Sequence, residues 1–107
     1  MRDLVFLSSF DADVQAEYER REELLPDAGD LFYARLTADL DQLTKYPSSG
    51  SSIKGCRVRR LLVVGLRYSV LSVLEGQRVM LHALLDQLAD PKINARRLRD
   101  ISRLLSP

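Results

Sequence analysis

The cationic and protic side chains of this chain gather after residue 51. Lys54, Arg57, Arg59, Arg60, Arg67, Tyr68, Arg78 and His82 all fall within one stretch. Groups of these types could act on a phosphodiester. Cleaving RNA through its own 2′-hydroxyl takes a base, an acid and cations around the phosphate. Only His82 has an unperturbed pKa near neutrality. A lone His between Leu81 and Ala83 has the setting of a structural strand residue, and arginines hold a protein carboxylate as readily as a phosphate. These groups do not make a convincing acid–base set, so no catalytic residue is assigned. An RNA-cleaving reading would draw on Arg59, Arg60, Arg78 and His82. Cys56 is the only cysteine, which rules out an internal disulfide. With a single His beside it, the chain has too few soft ligands for a structural zinc site, and no metal or cofactor is expected. The segment GSSIKG around Lys54 lacks the spacing of a phosphate-cradling loop.

The net charge of +1 hides a split. Residues 1–50 carry five Lys/Arg against eleven Asp/Glu, a net of −6, and residues 51–107 carry eleven against four, a net of +7. A division of this size points to an acidic face and a basic face, and a basic face invites an anionic partner. The length of 107 residues suits one domain with one core, taken as 1–107. No apolar run is long enough to span a membrane, and the apolar start is too short for a signal peptide, so a cytoplasmic protein is expected.

The elements that must position these groups follow from periodicity. Three strands are predicted in succession, about Arg57–Val64, Tyr68–Leu74 and Arg78–Leu85, separated by the breaks Gly65-Leu66-Arg67 and Glu75-Gly76-Gln77. On the third, alternation places Val79, Leu81, Ala83 and Leu85 on one side and Arg78, Met80, His82 and Leu84 on the other. Upstream, Leu4-Val5-Phe6-Leu7 reads as a short buried strand. Ser8 and Asp11 have the form of a helix N-cap box. Phe10, Val14 and Tyr18, continued by Leu25, form the apolar stripe of a helix over about 10–24, with Glu17, Glu19, Arg20, Glu22 and Glu23 largely on other, solvated faces. Asp27 and Asp30 suit the start of a second helix, whose stripe Phe32, Leu36, Leu40, Leu43 runs to Pro47. The two helices make a hairpin over 10–46. Ser48–Gly55 reads as a polar loop.

Both faces of the predicted sheet are apolar, so the face away from the hairpin needs a cover. The segment 92–105 is a basic amphipathic helix. Ile93, Leu98, Ile101, Leu104 and Leu105 lie roughly on one side, and Arg96, Arg97, Arg99 and Arg103 occupy the rest. Docking onto the domain buries its apolar side, and contact with a partner chain or nucleic acid is the alternative. The fold class is therefore α+β: an N-terminal strand, a helical hairpin, a three-stranded antiparallel meander and a C-terminal helix.

This layout resembles the RelE/ParE superfamily of type II toxins from Leu4 to Pro91. The residues that carry the resemblance are Ser9, Ala12 and Asp13 in the first helix and Ala28, Phe32, Leu43 and Pro47 in the second. In the sheet they are Val58-Arg59-Arg60-Leu61, Tyr68, Arg78-Val79, Ala83-Leu84-Leu85 and Asp90-Pro91. Ser72 stands where the family often has a second Tyr, and Arg67 where it often has Pro. The frequent ending His-x-Arg-Arg-Asp-Pro reads Asp86-Gln87-Leu88-Ala89-Asp90-Pro91 here, without the His and both Arg.

The resemblance implies a cytoplasmic toxin neutralised by a cognate antitoxin, with plasmid stabilisation as one setting and a homodimer as one possible form. Given the poor catalytic inventory, it implies the ParE-like mode: binding and poisoning DNA gyrase through a surface that includes Arg59, Arg60, Arg67, Tyr68 and Arg78. The alternatives are a RelE-like endoribonuclease acting on messenger RNA in the ribosome, and a non-toxic relic that only binds an antitoxin.

Overall fold

The computed structural model describes residues 3–53 and 55–105. The elements in order are β1 (Asp3–Phe6), α1 (Ser8–Leu24), α2 (Ala28–Lys45), β2 (Ser51–Ser52), β3 (Arg59–Val63), β4 (Tyr68–Glu75), β5 (Arg78–Asp86) and α3 (Pro91–Leu105). The meander β3–β4–β5 is antiparallel, as expected, and it sits inside a five-stranded sheet of order β1-β5-β4-β3-β2. β1 lies parallel to β5, with Leu4 opposite Val79 and Phe6 opposite Leu81. A parallel neighbour needs a long crossover, and the helical hairpin is part of it. β2 is a two-residue edge strand inside the segment expected to be loop. Gly50 precedes it at φ +90°, where an added Cβ would overlap the Arg60 carbonyl.

The hairpin packs on one face of the sheet. Phe10, Phe32, Leu36, Leu40 and Leu43 meet Leu61, Val63, Tyr68, Val70, Val79, Leu81 and Leu84 in one core. The expected stripe is right on α2 and only partly right on α1. Val14 is half-buried, Tyr18 is half-buried with its hydroxyl on Asp30 (2.5 Å), and Leu25 is exposed beyond the helix end. The face that turns inward is instead Phe10, Val14, Glu17, Arg21, at spacings of four, three and four. The expected cap box does not form. Leu7 is the N-cap without a side-chain bond, and Ser8 already lies within the helix. Asp27 is the N-cap of α2 at φ 69°, again without a side-chain bond; Glu22 accepts from the N–H groups of Gly29 and Asp30 (3.0 and 3.2 Å). Those donors are the unsatisfied first-turn groups of α2, so a carboxylate from the preceding helix does the capping.

The other face of the sheet has its own core of Val58, Leu71, Val73, Ala83, Leu85 and Ile101. Ile101 belongs to α3, so the C-terminal helix is the missing cover. Ile93 and Leu104, expected on its docked side, are 56% and 79% exposed. One expectation for β5 is overturned. The β4–β5 register pairs Leu71 with Ala83 but Ser72 with Leu81, leaving His82 as an extra residue. A bulge of one residue reverses the alternation beyond it. Val79 and Leu81 therefore face the hairpin, whereas Ala83 and Leu85 face α3, and Leu84 joins the hairpin side. Among the described residues no helix is long and apolar enough to cross a membrane.

Candidate functional site

The β3–β4 connection brings two of the candidate residues into one polar network. The turn spans Val64–Arg67, one residue longer than expected, with Val64 and Leu66 at positive φ (53° and 70°). A β-branched residue rarely adopts that backbone, and the Val64 N–H is held by the Asp39 carboxylate at 2.8 Å. Arg67 leaves the turn half-exposed. Its Nε and Nη2 donate to Asp86 (3.4 and 3.2 Å), and its guanidinium lies 5.6 Å from the Tyr68 ring centre.

Tyr68 itself is 1% exposed. Its ring meets Phe32 edge-on at 5.4 Å, its hydroxyl donates a short bond to Glu17, and it accepts from Arg21 Nη2 at 2.8 Å. Arg21 also stacks over Phe32 and Tyr68, and both Arg20 and Arg21 pair with Glu17. Burial pushes the Glu17 carboxyl up, but the hydrogen bonds from Arg20, Tyr68 and Arg21 outweigh it and hold the group below its ordinary value. Burial, then the bond to Glu17, pushes the Tyr68 phenol up, so it stays protonated. Asp86 is likewise pushed up by burial and pulled further down by Arg67 and the Leu88 N–H. The network is a part-buried, charge-satisfied strut between α1 and the sheet, with only Tyr68 of its polar groups fully enclosed.

The remaining candidates are dispersed. On β3, Arg59 is turned to the loop before β2: Nη2 donates to the carbonyls of Ser48 (2.6 Å) and Gly50 (3.1 Å), and Nε is buried without a partner. Its neighbour Arg60 is exposed at a groove of about 320 Å³ that also involves Ser69, Gln87, Asn94 and Leu98. Arg57 pairs with Glu75 at 3.8 Å. Arg78 is exposed at the start of β5, opposite Glu75, while Tyr68 stands opposite Asp86 at the other end of the same ladder. Eight strand residues separate these ends, about 25 Å. His82 is buried (9% exposed) in the bulge, and its carbonyl accepts from Ser9 Oγ at 2.7 Å. Burial pushes its imidazole pKa down, with Glu75 acting weakly against this. Lys54 lies outside the described residues.

The candidate residues therefore do not converge on one site, and Glu17, Arg21 and Asp86, which the sequence does not single out, complete the network. The signal for the first two was the spacing Phe10, Val14, Glu17, Arg21, which continues the inward face with charges. Asp13, quoted above only for the resemblance, has a structural role. It accepts a bidentate pair from Arg97 of α3 (3.2 and 2.7 Å) and a bond from the Leu84 N–H (3.0 Å). β1 ends opposite Leu81, so the edge of β5 beyond it would be open; Ser9 and Asp13 of α1 satisfy part of it. Among the described residues no three His, Cys, Asp or Glu side chains come together as a metal site.

Neither a protein-family model nor a curated protein sequence matches this chain. Solved structures do. One is a chain of the chromosomal ParDE toxin–antitoxin system of P. aeruginosa, superposing with a TM-score of 0.71 at 17% identity, over 80% of this chain and 96% of that one. This chain shares the α+β fold of that ParDE chain.

Proposed function

We propose that this chain, which carries the ParE-like fold, is the toxin of a type II toxin–antitoxin pair and acts by binding DNA gyrase, with a cognate antitoxin neutralising it. The observation that carries this reading is the likeness, along most of both chains, to a member of a ParDE system. The chemistry supports a binder. His82 is buried in a bulge, Tyr68 is spent on the α1 strut, and Arg59 is tied to loop carbonyls. Arg60 and Arg78 remain exposed and without ion-pair partners among the described residues, and Arg67 is half-exposed beside Asp86. These three, spread along the sheet rather than gathered at one point, are the cations the proposal assigns to target contact.

The test is paired. Wild type, Arg60→Glu, Arg78→Glu and His82→Gln are induced in cells, with growth inhibition and messenger RNA integrity read together and gyrase supercoiling measured on purified protein. Charge reversal at Arg60 or Arg78 should weaken inhibition, since loss of a desolvated charged contact costs about 2–5 kcal/mol. His82→Gln should leave it nearly intact once folding is confirmed. Ribosome-dependent cuts in messenger RNA, lost in His82→Gln with the fold retained, would replace this reading with the RelE-like endoribonuclease. Harmless expression with antitoxin binding retained would make the chain a relic.

A further inference from the structure

The cations of α3 fall into two groups. Arg97 is spent on Asp13. Lys92, Arg96, Arg99 and Arg103 are all exposed, and among the described residues none has an ion-pair or hydrogen-bond partner for its side chain. Elsewhere Arg20, Arg35, Lys45, Arg57 and Arg67 each have a carboxylate, and the other exposed cations without an ion pair among the described residues, Arg60 and Arg78, stand singly on different strands rather than on one helix. The acids of the second half are largely engaged as well. Glu75 pairs with Arg57, Asp86 with Arg67, and Asp90 accepts from the Lys92 N–H at the start of α3. Among the described residues of α3, Asp100 on its flank is the one acid that offsets the four locally.

The four cations recur at spacings of four, three and four. At about 100° per residue they fall within an arc of about 60°, centred opposite buried Ile101. They make one straight ridge about 16 Å long on the side of the helix away from Ile101, with Arg99 and Arg103 also edging a groove against Ile53, Gly55 and Cys56. The hairpin, in the acidic half of the chain, packs on the opposite face of that sheet.

We propose that this ridge binds the phosphate backbone of duplex DNA, a reading independent of whether the chain is a gyrase-directed toxin. Evenly spaced, unpaired cations on an exposed helix complement a regular polyanion. A helix is about 10–12 Å across, which the major groove of B-form DNA admits, whereas the deep, narrow groove of A-form RNA does not. A membrane surface fits less well, because Ile101 and Leu98 are committed to the sheet core and only Ile93 and Leu104 of this helix remain exposed to enter lipid.

The test is fluorescence anisotropy of a short, labelled, mixed-sequence DNA duplex with the full chain over a salt series. Neutralising four phosphates gives a log–log slope of about −3.6, hence a loss of about 100-fold between 50 and 200 mM salt. In R96Q/R99Q/R103Q the slope should fall to about −1, and in the single variant Lys92→Gln by about 0.9. R96K/R99K/R103K should keep the wild-type slope. Circular dichroism should show all variants folded, since each side chain is exposed. Absence of binding at low salt would overturn the proposal. So would an unchanged slope in R96Q/R99Q/R103Q and Lys92→Gln, or equal or tighter binding of an RNA duplex, of phosphatidylserine vesicles or of polyglutamate.

Discussion

Replacing Tyr68 by Phe removes one oxygen from the centre of the α1–sheet network and leaves the ring in place. The ring is 1% exposed and stays against Phe32, so no cavity larger than a hydroxyl opens. Two bonds disappear: the short one donated to the Glu17 carboxylate and the one accepted from Arg21. A hydrogen bond to a charged group contributes about 1.5–3 kcal/mol. The loss is tempered because Glu17 and Arg21 still meet at 3.2 Å, with side chains 13% and 23% exposed to compensating water. A destabilisation of about 2 kcal/mol is expected, which lowers Tm by about 8 °C in a chain of this size. Urea unfolding should show a lower midpoint at unchanged m-value. A cycle with Glu17→Gln should give a coupling of about 1 kcal/mol or more, since the two groups share a bond. At a temperature where the variant is folded, growth inhibition should equal that of wild type, because Tyr68 is not at the surface. A stability change under about 0.5 kcal/mol would refute the strut. Lost inhibition with stability intact would make Tyr68 a contact residue after all.

Acid should destabilise the fold in two stages. His82, Glu17 and Asp86 all have folded pKa values below their ordinary ones, so the stability they contribute is complete above the unfolded values and lost as pH falls through the folded ones. Thermal melts should therefore begin to fall below about pH 6.5 and steepen below about pH 4.5, with Glu17→Gln flattening the lower stage; melts independent of pH over this range would contradict the assignment. Asp13→Asn should weaken the tie between α1 and α3, costing about 1–2 kcal/mol and raising hydrogen exchange across 91–105 more than across α2. Unchanged exchange in α3 would mean that the apolar contacts of Ile101 alone hold the helix.

Much of the architecture was legible in the sequence because it rests on local periodicity. Phe32, Leu36, Leu40 and Leu43 define the inner face of α2 by spacing alone, and the meander strands follow from runs of Val and Leu between Gly-containing turns. The two apolar faces of the sheet implied a second cover, and α3 provides it. The candidate site was much less legible. Arg59 and Arg60 are adjacent and alike in sequence, yet one is tied to the Ser48 and Gly50 carbonyls and the other is exposed at a groove.

What the sequence determined by itself is which elements form and which of their faces are apolar. That information lies within a turn or two of chain, where propensity and spacing act. Only the tertiary structure decided which polar side chains turn inward and what they meet. Glu17 finds Tyr68 across 51 positions, and Asp13 finds Arg97 across 84. The single extra residue at His82 exchanges the two faces of β5 without any mark in its hydrophobic pattern. A charge on a helix looks the same in sequence whether water or a buried partner satisfies it. The difference is set by the desolvation the fold imposes and by the partner the fold brings within about 3 Å.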